Sequence, residues 1–228
     1  MNGRREQLMS LLSEGGMSIK EMASKLYVSE MTVRRAVKPL IDEGLITHSR
    51  GRISLNMGDS DISYSIRRDV DQDEKIRIAR RAAELLQGGE MLFIDGSTTC
   101  SHLLPELVKR KPRLVVTNSL DLCTELGNMG ILTKITGGDY NTFDRCVEGY
   151  GALKFIEAFN FDIAFLSAKG IDSEQITDTE EGQSNVRRAV LEQAKRSVFL
   201  MSHSKYGKRF QRKLCNVTDV TVITDTEE

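Results

Sequence analysis

Six polar clusters between residues 95 and 207 of the 228-residue chain carry the residue types that hold a phosphate and a polyol. They are Asp95-Gly96-Ser97-Thr98-Thr99, Thr117-Asn118-Ser119, Gly137-Gly138-Asp139-Tyr140, Ser167-Ala168-Lys169-Gly170, Asp178-Thr179-Glu180-Glu181 and His203-Ser204-Lys205-Tyr206-Gly207. Backbone N–H groups at glycine turns, hydroxyls and ammonium groups match phosphate oxygens, while Asp, Asn and Glu match sugar hydroxyls. In the first cluster the apolar run Met91-Leu92-Phe93-Ile94 breaks directly into Asp-Gly and three hydroxyl residues. Such a run suits a strand buried on both faces, and Ser97–Thr99 can cap a helix whose apolar spacing continues through Leu103, Leu104, Leu107 and Val108. A helix N-terminus there aims free N–H groups and a positive dipole end beyond the strand, which is how a phosphate is held.

The binding set read from these clusters is Asp95, Gly96, Ser97, Thr98, Thr99, Asn118, Ser119, Gly137, Gly138, Lys169, Asp178, Glu181 and Lys205. Each has a plainer reading beside it. Lys169 and Lys205 also read as solvated cations, Asp178 and Glu181 as acids that stabilise the start of a helix, and Tyr140 as a packing residue or a wall. His203 receives no role. No acid–base pair is identified by spacing, so no catalytic residue is assigned. The four cysteines and three histidines lie too far apart to form a ligand set, so neither a metal nor a cofactor is expected, and the thiols read as reduced and mostly buried.

These clusters need a frame that brings them together. Apolar, β-branched runs at 91–95, 114–117, 131–136, 163–167, 197–201 and 220–224 alternate with helical spacing at 103–108, 120–126, 151–159 and 186–194. That alternation predicts an α/β domain with a mostly parallel sheet flanked by helices, in which ligands sit beyond the carboxyl ends of the strands.

The first 56 residues read differently. Leu8, Leu11 and Leu12 mark a first helix over 4–14, and Ser18-Ile19-Lys20-Glu21 is a capping box opening a second. Tyr27-Val28 turns the chain, Ser29 caps a third helix over 30–43 that Gly44 ends, and residues 45–49 and 52–56 flank Arg50-Gly51 as a hairpin. Three helices and a hairpin make a small winged helix-turn-helix. With Met31 and Val33–Val37 inward, Lys20, Ser29, Glu30, Thr32, Arg34, Arg35 and Lys38, joined by Arg50 and Arg52 on the wing, are the DNA-contacting set. Charge agrees: residues 1–56 hold nine Lys and Arg against six Asp and Glu, while the remainder holds 23 against 27. Pro39 predicts a kink near Arg35 or an early end to the third helix.

The segments Arg4-Arg5-Glu6, Leu26-Tyr27-Val28-Ser29-Glu30-Met31-Thr32-Val33-Arg34-Arg35, Leu40 and Glu43-Gly44-Leu45-Ile46 resemble the N-terminal signature of the DeoR family of bacterial transcriptional regulators. Asp-Gly-Ser-Thr-Thr, Thr-Asn-Ser, Gly-Gly-x-Tyr, Asp162-Ile163-Ala164-Phe165, Lys169-Gly170-Ile171-Asp172 and Ser204-Lys205-Tyr206-Gly207 follow the order of that family's sensor domain, similar in fold to ribose-5-phosphate isomerase. Three departures stand out: Ala36-Val37 where the family usually has Asp-Leu, Pro39 in the third helix, and Ser49-Arg50-Gly51-Arg52 in place of a His-Gly-Gly wing. Family members also commonly continue through a further helix and strand beyond the point where Glu228 falls.

The resemblance implies a repressor of a carbohydrate-metabolism operon, with double-stranded operator DNA and a phosphorylated sugar or sugar acid as partners, acting as a dimer or tetramer. The expected domains are a DNA-binding domain over 1–56, a linker over 57–72 and an effector domain over 73–228. A sugar-phosphate isomerase carrying a DNA-binding appendage is the alternative. No run of about 18 apolar residues and no N-terminal apolar segment is present, so the expectation is a cytoplasmic protein with no membrane partner.

Overall fold

The computed structural model describes residues 7–9, 11–12, 15–42, 46–49, 51–55 and 64–226. The chain forms two compact units, 1–72 and 73–228.

In the first unit, residues 7–9 and 11–12 are helical, followed by β1 (Met17–Ser18), α1 (Ile19–Lys25), α2 (Glu30–Asp42), β2 (Ile46–Ser49), β3 (Arg52–Leu55) and α3 (Tyr64–Asp69). The capping box is present in full: the Ser18 hydroxyl accepts from the Glu21 N–H at 3.2 Å, and the Glu21 carboxylate accepts from the Ser18 N–H at 2.6 Å. β2 and β3 form the antiparallel wing, and β1 adds a third strand beside β3 that hydrophobic patterning, with two residues to work on, does not reveal. Leu8, Met9, Leu12, Met22, Val33, Val37, Leu40, Ile46 and Ile53 pack as one core.

Two expectations for α2 are corrected, the early end at Pro39 and the inward Met31. The helix does not end early but runs through Pro39 to Asp42. Pro39 and Arg35 are both exposed, so the carbonyl that proline leaves without its N–H partner lies on the solvent side of the helix. Met31 is not inward; it is 59% exposed, because the buried stripe runs through Val33, Val37 and Leu40. Of the expected connector over 57–72, residues 64–69 are helical and 57–63 lie outside the described residues, as do Gly44 and Arg50.

The second unit opens with α4 (Gln72–Ala83) and proceeds through β4 (Met91–Ile94), α5 (Leu104–Arg110), β5 (Leu114–Thr117), α6 (Leu120–Asn128), β6 (Thr133–Ile135), β7 (Asp139–Asn141), β8 (Cys146–Glu148) and α7 (Tyr150–Glu157). It continues with β9 (Phe161–Leu166), β10 (Gly170–Ile171), β11 (Gln175–Asp178), α8 (Glu181–Gln193), β12 (Ala194–Leu200), β13 (Arg212–Asn216) and β14 (Thr221–Ile223). Six strands form one parallel sheet in the order β14-β12-β9-β4-β5-β6.

Alternation along each strand feeds two cores. Leu92, Ile94, Val115 and Phe165 join α4, α5 and α6 on one face, while Phe93, Val116, Ala164 and Leu166 join α7 and α8 on the other. Both faces are therefore covered, which is why these strands read as unbroken apolar runs. Two smaller elements escape that pattern: the antiparallel sheet β10-β11-β13 and the hairpin β7-β8. Their strands are short and their polar residues outnumber the apolar ones. No helix among the described residues is long and apolar enough to cross a membrane.

Candidate functional site

Sheet order fixes where a ligand belongs. From β4 the chain moves outward through β5 and β6, then returns to the other side of β4 to lay down β9, β12 and β14. β4 and β9 thus flank the point where winding reverses, and it is beyond the carboxyl ends of such strands that doubly wound sheets bind their ligands. The loop 95–99 leaves β4 there, and Ser167-Ala168-Lys169 leaves β9; the Asp95 N–H donates to the Phe165 carbonyl at 3.0 Å, locking the two strand ends together.

Asp95 and Asp178 both lie at this rim, fully buried and bridged by a residue that the sequence reading missed. Arg187 of α8 donates from Nε and Nη2 to the two Asp95 carboxylate oxygens at 3.2 Å each, and from Nη1 to Asp178 Oδ2 at 2.7 Å. Burial opposes the guanidinium charge, but the two carboxylates more than offset it and hold Arg187 above its ordinary pKa. A signal for Arg187 existed: Gln183, Ser184 and Arg187 share the helical phase of Val186 and Val190, so three polar residues occupy the buried stripe of α8.

A second network fixes the glycine turn. The Gly96 N–H donates to Asn118 Oδ1 at 2.8 Å, and Asn118 Nδ2 donates to Gln183 Oε1 at 3.2 Å and to the Val147 carbonyl at 3.3 Å. Gln183 Nε2 in turn donates to Glu148 Oε2 at 2.7 Å. The Asn118 amide therefore holds the 95–99 loop by the Gly96 backbone N–H, with both its oxygen and its nitrogen engaged. Gly96 has no room for a side chain, since a Cβ would meet Cys146 Cβ at 3.1 Å and Ser119 Cβ at 3.2 Å.

The hydroxyl residues divide. Ser97 accepts from the Cys100 N–H at 3.3 Å and is half-buried, Thr98 and Thr99 are buried, and the element after them is a 3-10 turn over Cys100–Leu103 before α5 begins. The loop thus caps a 3-10 turn, with α5 starting further along at Leu104. Ser119 caps α6, accepting from the Leu122 N–H at 3.3 Å.

The cations are more exposed. Lys205 is half-buried; its ammonium donates to Ser167 Oγ at 2.8 Å, and Ser167 donates to the Leu200 carbonyl at 2.7 Å. Burial pushes Lys205 down to about 7, and the neighbouring positive charge of Lys75 pushes the same way while Asp178 opposes it. Lys169 donates to Thr179 Oγ1 at 2.7 Å. Glu181 faces outward to Arg212 at 2.8 Å, Gly137 is exposed, and Gly138 sits at φ +126° with its Cα against Gly151. His203 pairs with Asp225 at 2.8 Å.

In the first unit the exposed stripe of α2 carries Met31, Arg34, Arg35 and Lys38 at helical spacing, with Glu30 3.7 Å from Arg34. Ser29 caps the helix, accepting from the Thr32 N–H at 3.2 Å, and its hydroxyl lies 2.9 Å from that of Thr32. Lys20 is exposed on α1, and on the wing Arg52 is 3.8 Å from Glu21 and donates to the Gly16 carbonyl.

Residues 70–226 match the family model described as the DeoR C terminal sensor domain, and residues 1–47 match one described as Winged helix-turn-helix DNA-binding. The chain belongs to the DeoR family. This DeoR-family chain is 29% identical over 226 residues to the HTH-type transcriptional regulator GlpR of Haloferax volcanii, covering 97% of this chain and 89% of that protein. It is 27% identical to the glycerol-3-phosphate regulon repressor of Escherichia coli, over 92% and 84% of the two chains, and 29% identical to the HTH-type transcriptional regulator IolR of Bacillus subtilis, over 91% and 86%.

Among solved structures, eIF2B delta from Chaetomium thermophilum aligns with a TM-score of 0.53 at 15% identity, over 69% of this chain and 57% of that one, so the two share a fold. Ribose 5-phosphate isomerase A from Neisseria gonorrhoeae aligns with a TM-score of 0.43 at 19% identity, over 61% and 56%. The DeoR-family chain is a DNA-binding transcriptional regulator.

Proposed function

We propose that this DeoR-family regulator represses a carbohydrate-metabolism operon and that a phosphorylated sugar, bound beyond the carboxyl ends of β4 and β9, modulates its grip on the operator. The observation that carries this reading is Lys205, a half-buried ammonium at the winding reversal that donates to the neutral Ser167 hydroxyl at 2.8 Å. A dianionic phosphate supplies the charge that such a group lacks. Lys169 and the hydroxyls and N–H groups of Ser97, Thr98 and Thr99 complete the anion-binding set. Asp95 and Asp178 act through Arg187, and Asn118 through Gly96.

Glu181, Gly137, Gly138 and Ser119 complete the set proposed for the effector. Ser29, Glu30, Thr32, Arg34, Arg35, Lys38, Lys20, Arg50 and Arg52 serve the DNA. In domain terms, 1–56 reads DNA, 57–72 connects and 73–228 senses. The protein works in the cytoplasm as a dimer or tetramer on repeated half-sites, and effector and operator are linked through their free energies of binding.

Isothermal calorimetry with a panel of pentose and hexose phosphates and glycerol 3-phosphate tests the site. Saturable binding that Lys205→Ala and Ser97→Asp each abolish is the expected result. Unchanged affinity in both variants contradicts it, and turnover of any panel member contradicts the regulator-only reading.

A further inference from the structure

Met31 is the apolar residue at the N-terminal end of the exposed face of α2, and Ile41, 38% exposed, lies at the other end of the helix. Met31, Arg34, Arg35 and Lys38 stand at i, i+3, i+4 and i+7, so they share one stripe, opposite the buried Val33, Val37 and Leu40. All four are exposed, and Met31 keeps 59% of its surface in solvent. Inside the unit it contributes little packing, and as a mid-range helix former it offers no more than a lysine or glutamine there would. Its surroundings are chosen for a polyanion: three cations follow it along the stripe. The N-terminal residues of a helix-turn-helix reading helix are those that reach base edges, whereas cations further along meet phosphates.

We infer that Met31 reads a thymine in the operator by apolar contact with its C5-methyl group. The only apolar feature that a base pair presents in the major groove is that methyl, and a flexible, polarisable thioether chain fits against it without a fixed hydrogen-bond geometry. Thr32 is held by Ser29 and Glu30 lies beside Arg34, so the polar residues of this first turn already have neighbours within the helix, whereas the Met31 side chain projects from it. This inference rests on the DNA-reading role of α2 and adds the base that one of its residues recognises.

The test uses the full chain. In vitro selection from random duplexes yields the operator, and each thymidine in it is then replaced singly by 2′-deoxyuridine, which deletes the methyl and keeps every hydrogen-bonding group. The expected result is one position per half-site at which the replacement weakens wild-type binding by about fourfold, the equivalent of one buried methyl. Met31→Ala binds the thymidine and deoxyuridine duplexes equally at that position, and Met31→Leu restores discrimination. Because Met31 is exposed, both variants are expected to melt with the wild type, which thermal denaturation checks. An operator whose methyl profile is the same for wild type and Met31→Ala overturns the Met31 contact alone. Selection that enriches no sequence overturns the DNA-reading role and this contact together.

Discussion

Arg187 holds two carboxylates that arrive from different strands, and its removal leaves both buried without a counter-charge. Breaking a buried pair from one side costs about 3–5 kcal/mol, because the orphaned charges cannot return to water. Arg187→Ala is accordingly expected to lose stability on that scale in urea denaturation, whereas Arg209→Ala, which removes a solvent-exposed ion pair with Asp172 and Glu174, is expected to melt close to the wild type.

Lys205 gives the site a pH dependence of definite sign. Its folded pKa of about 7 lies below the ordinary lysine value of about 10.4, so between these limits the unfolded chain binds more protons and stability rises with pH. The penalty of burying the ammonium is full below pH 7 and is relieved as pH climbs. Lys205→Met lacks that penalty throughout, so its stability advantage over wild type, measured by urea denaturation, is expected to shrink from pH 7 to pH 9.5. Phosphate binding favours the charged ammonium, so wild-type affinity for a sugar phosphate is expected to fall as pH rises above 7, and calorimetry at fixed ionic strength reads that directly.

At the scale of elements, the turn between α1 and α2 is built on an unusual residue. The Tyr27 N–H donates to the Ser24 carbonyl at 3.3 Å and the Val28 N–H to the Ala23 carbonyl at 3.0 Å, the pairing of a Schellman helix end. Glycine normally fills the left-handed position of that motif, yet Tyr27 occupies it at φ +52° with 96% of its surface exposed. Tyr27→Gly is therefore expected to stabilise the unit by roughly 1 kcal/mol in thermal or urea melts, since the left-handed penalty disappears and no packing is lost.

The strands and helices of the larger unit were legible because each carries one period over its whole length. The 91–94 and 114–117 runs are continuous and the strands match them to within a residue. Elements that one period cannot mark were missed: β1 has two residues, and β10, β11 and β13 obtain their order from one another and from α8. The same limit produced the error at Met31, where an apolar side chain was assigned inward although the phase of Val33, Val37 and Leu40 excludes it.

At the scale of the whole molecule, the site clusters were legible as a group while the roles within them were not. Strand-end residues from distant segments do converge at the reversal between β4 and β9, but which of them meets a ligand depends on partners contributed by α8 and the β7-β8 hairpin. Asp95 in sequence is a free carboxylate after a strand; in the fold it belongs to Arg187. At the output end, Arg35→Ala is expected to weaken operator binding by about tenfold or more while leaving effector affinity unchanged, as gel shift and calorimetry read separately.

The central claim is that one chain couples these two events. Operator binding by the full chain, followed by fluorescence anisotropy while the phosphorylated sugar found by the panel is titrated in, tests it most directly. Affinity for the operator is predicted to shift by about 5- to 150-fold at saturation, with the shift abolished in Lys205→Ala although that variant still binds the operator. Saturation of the sensor site with no change in operator affinity would contradict the account.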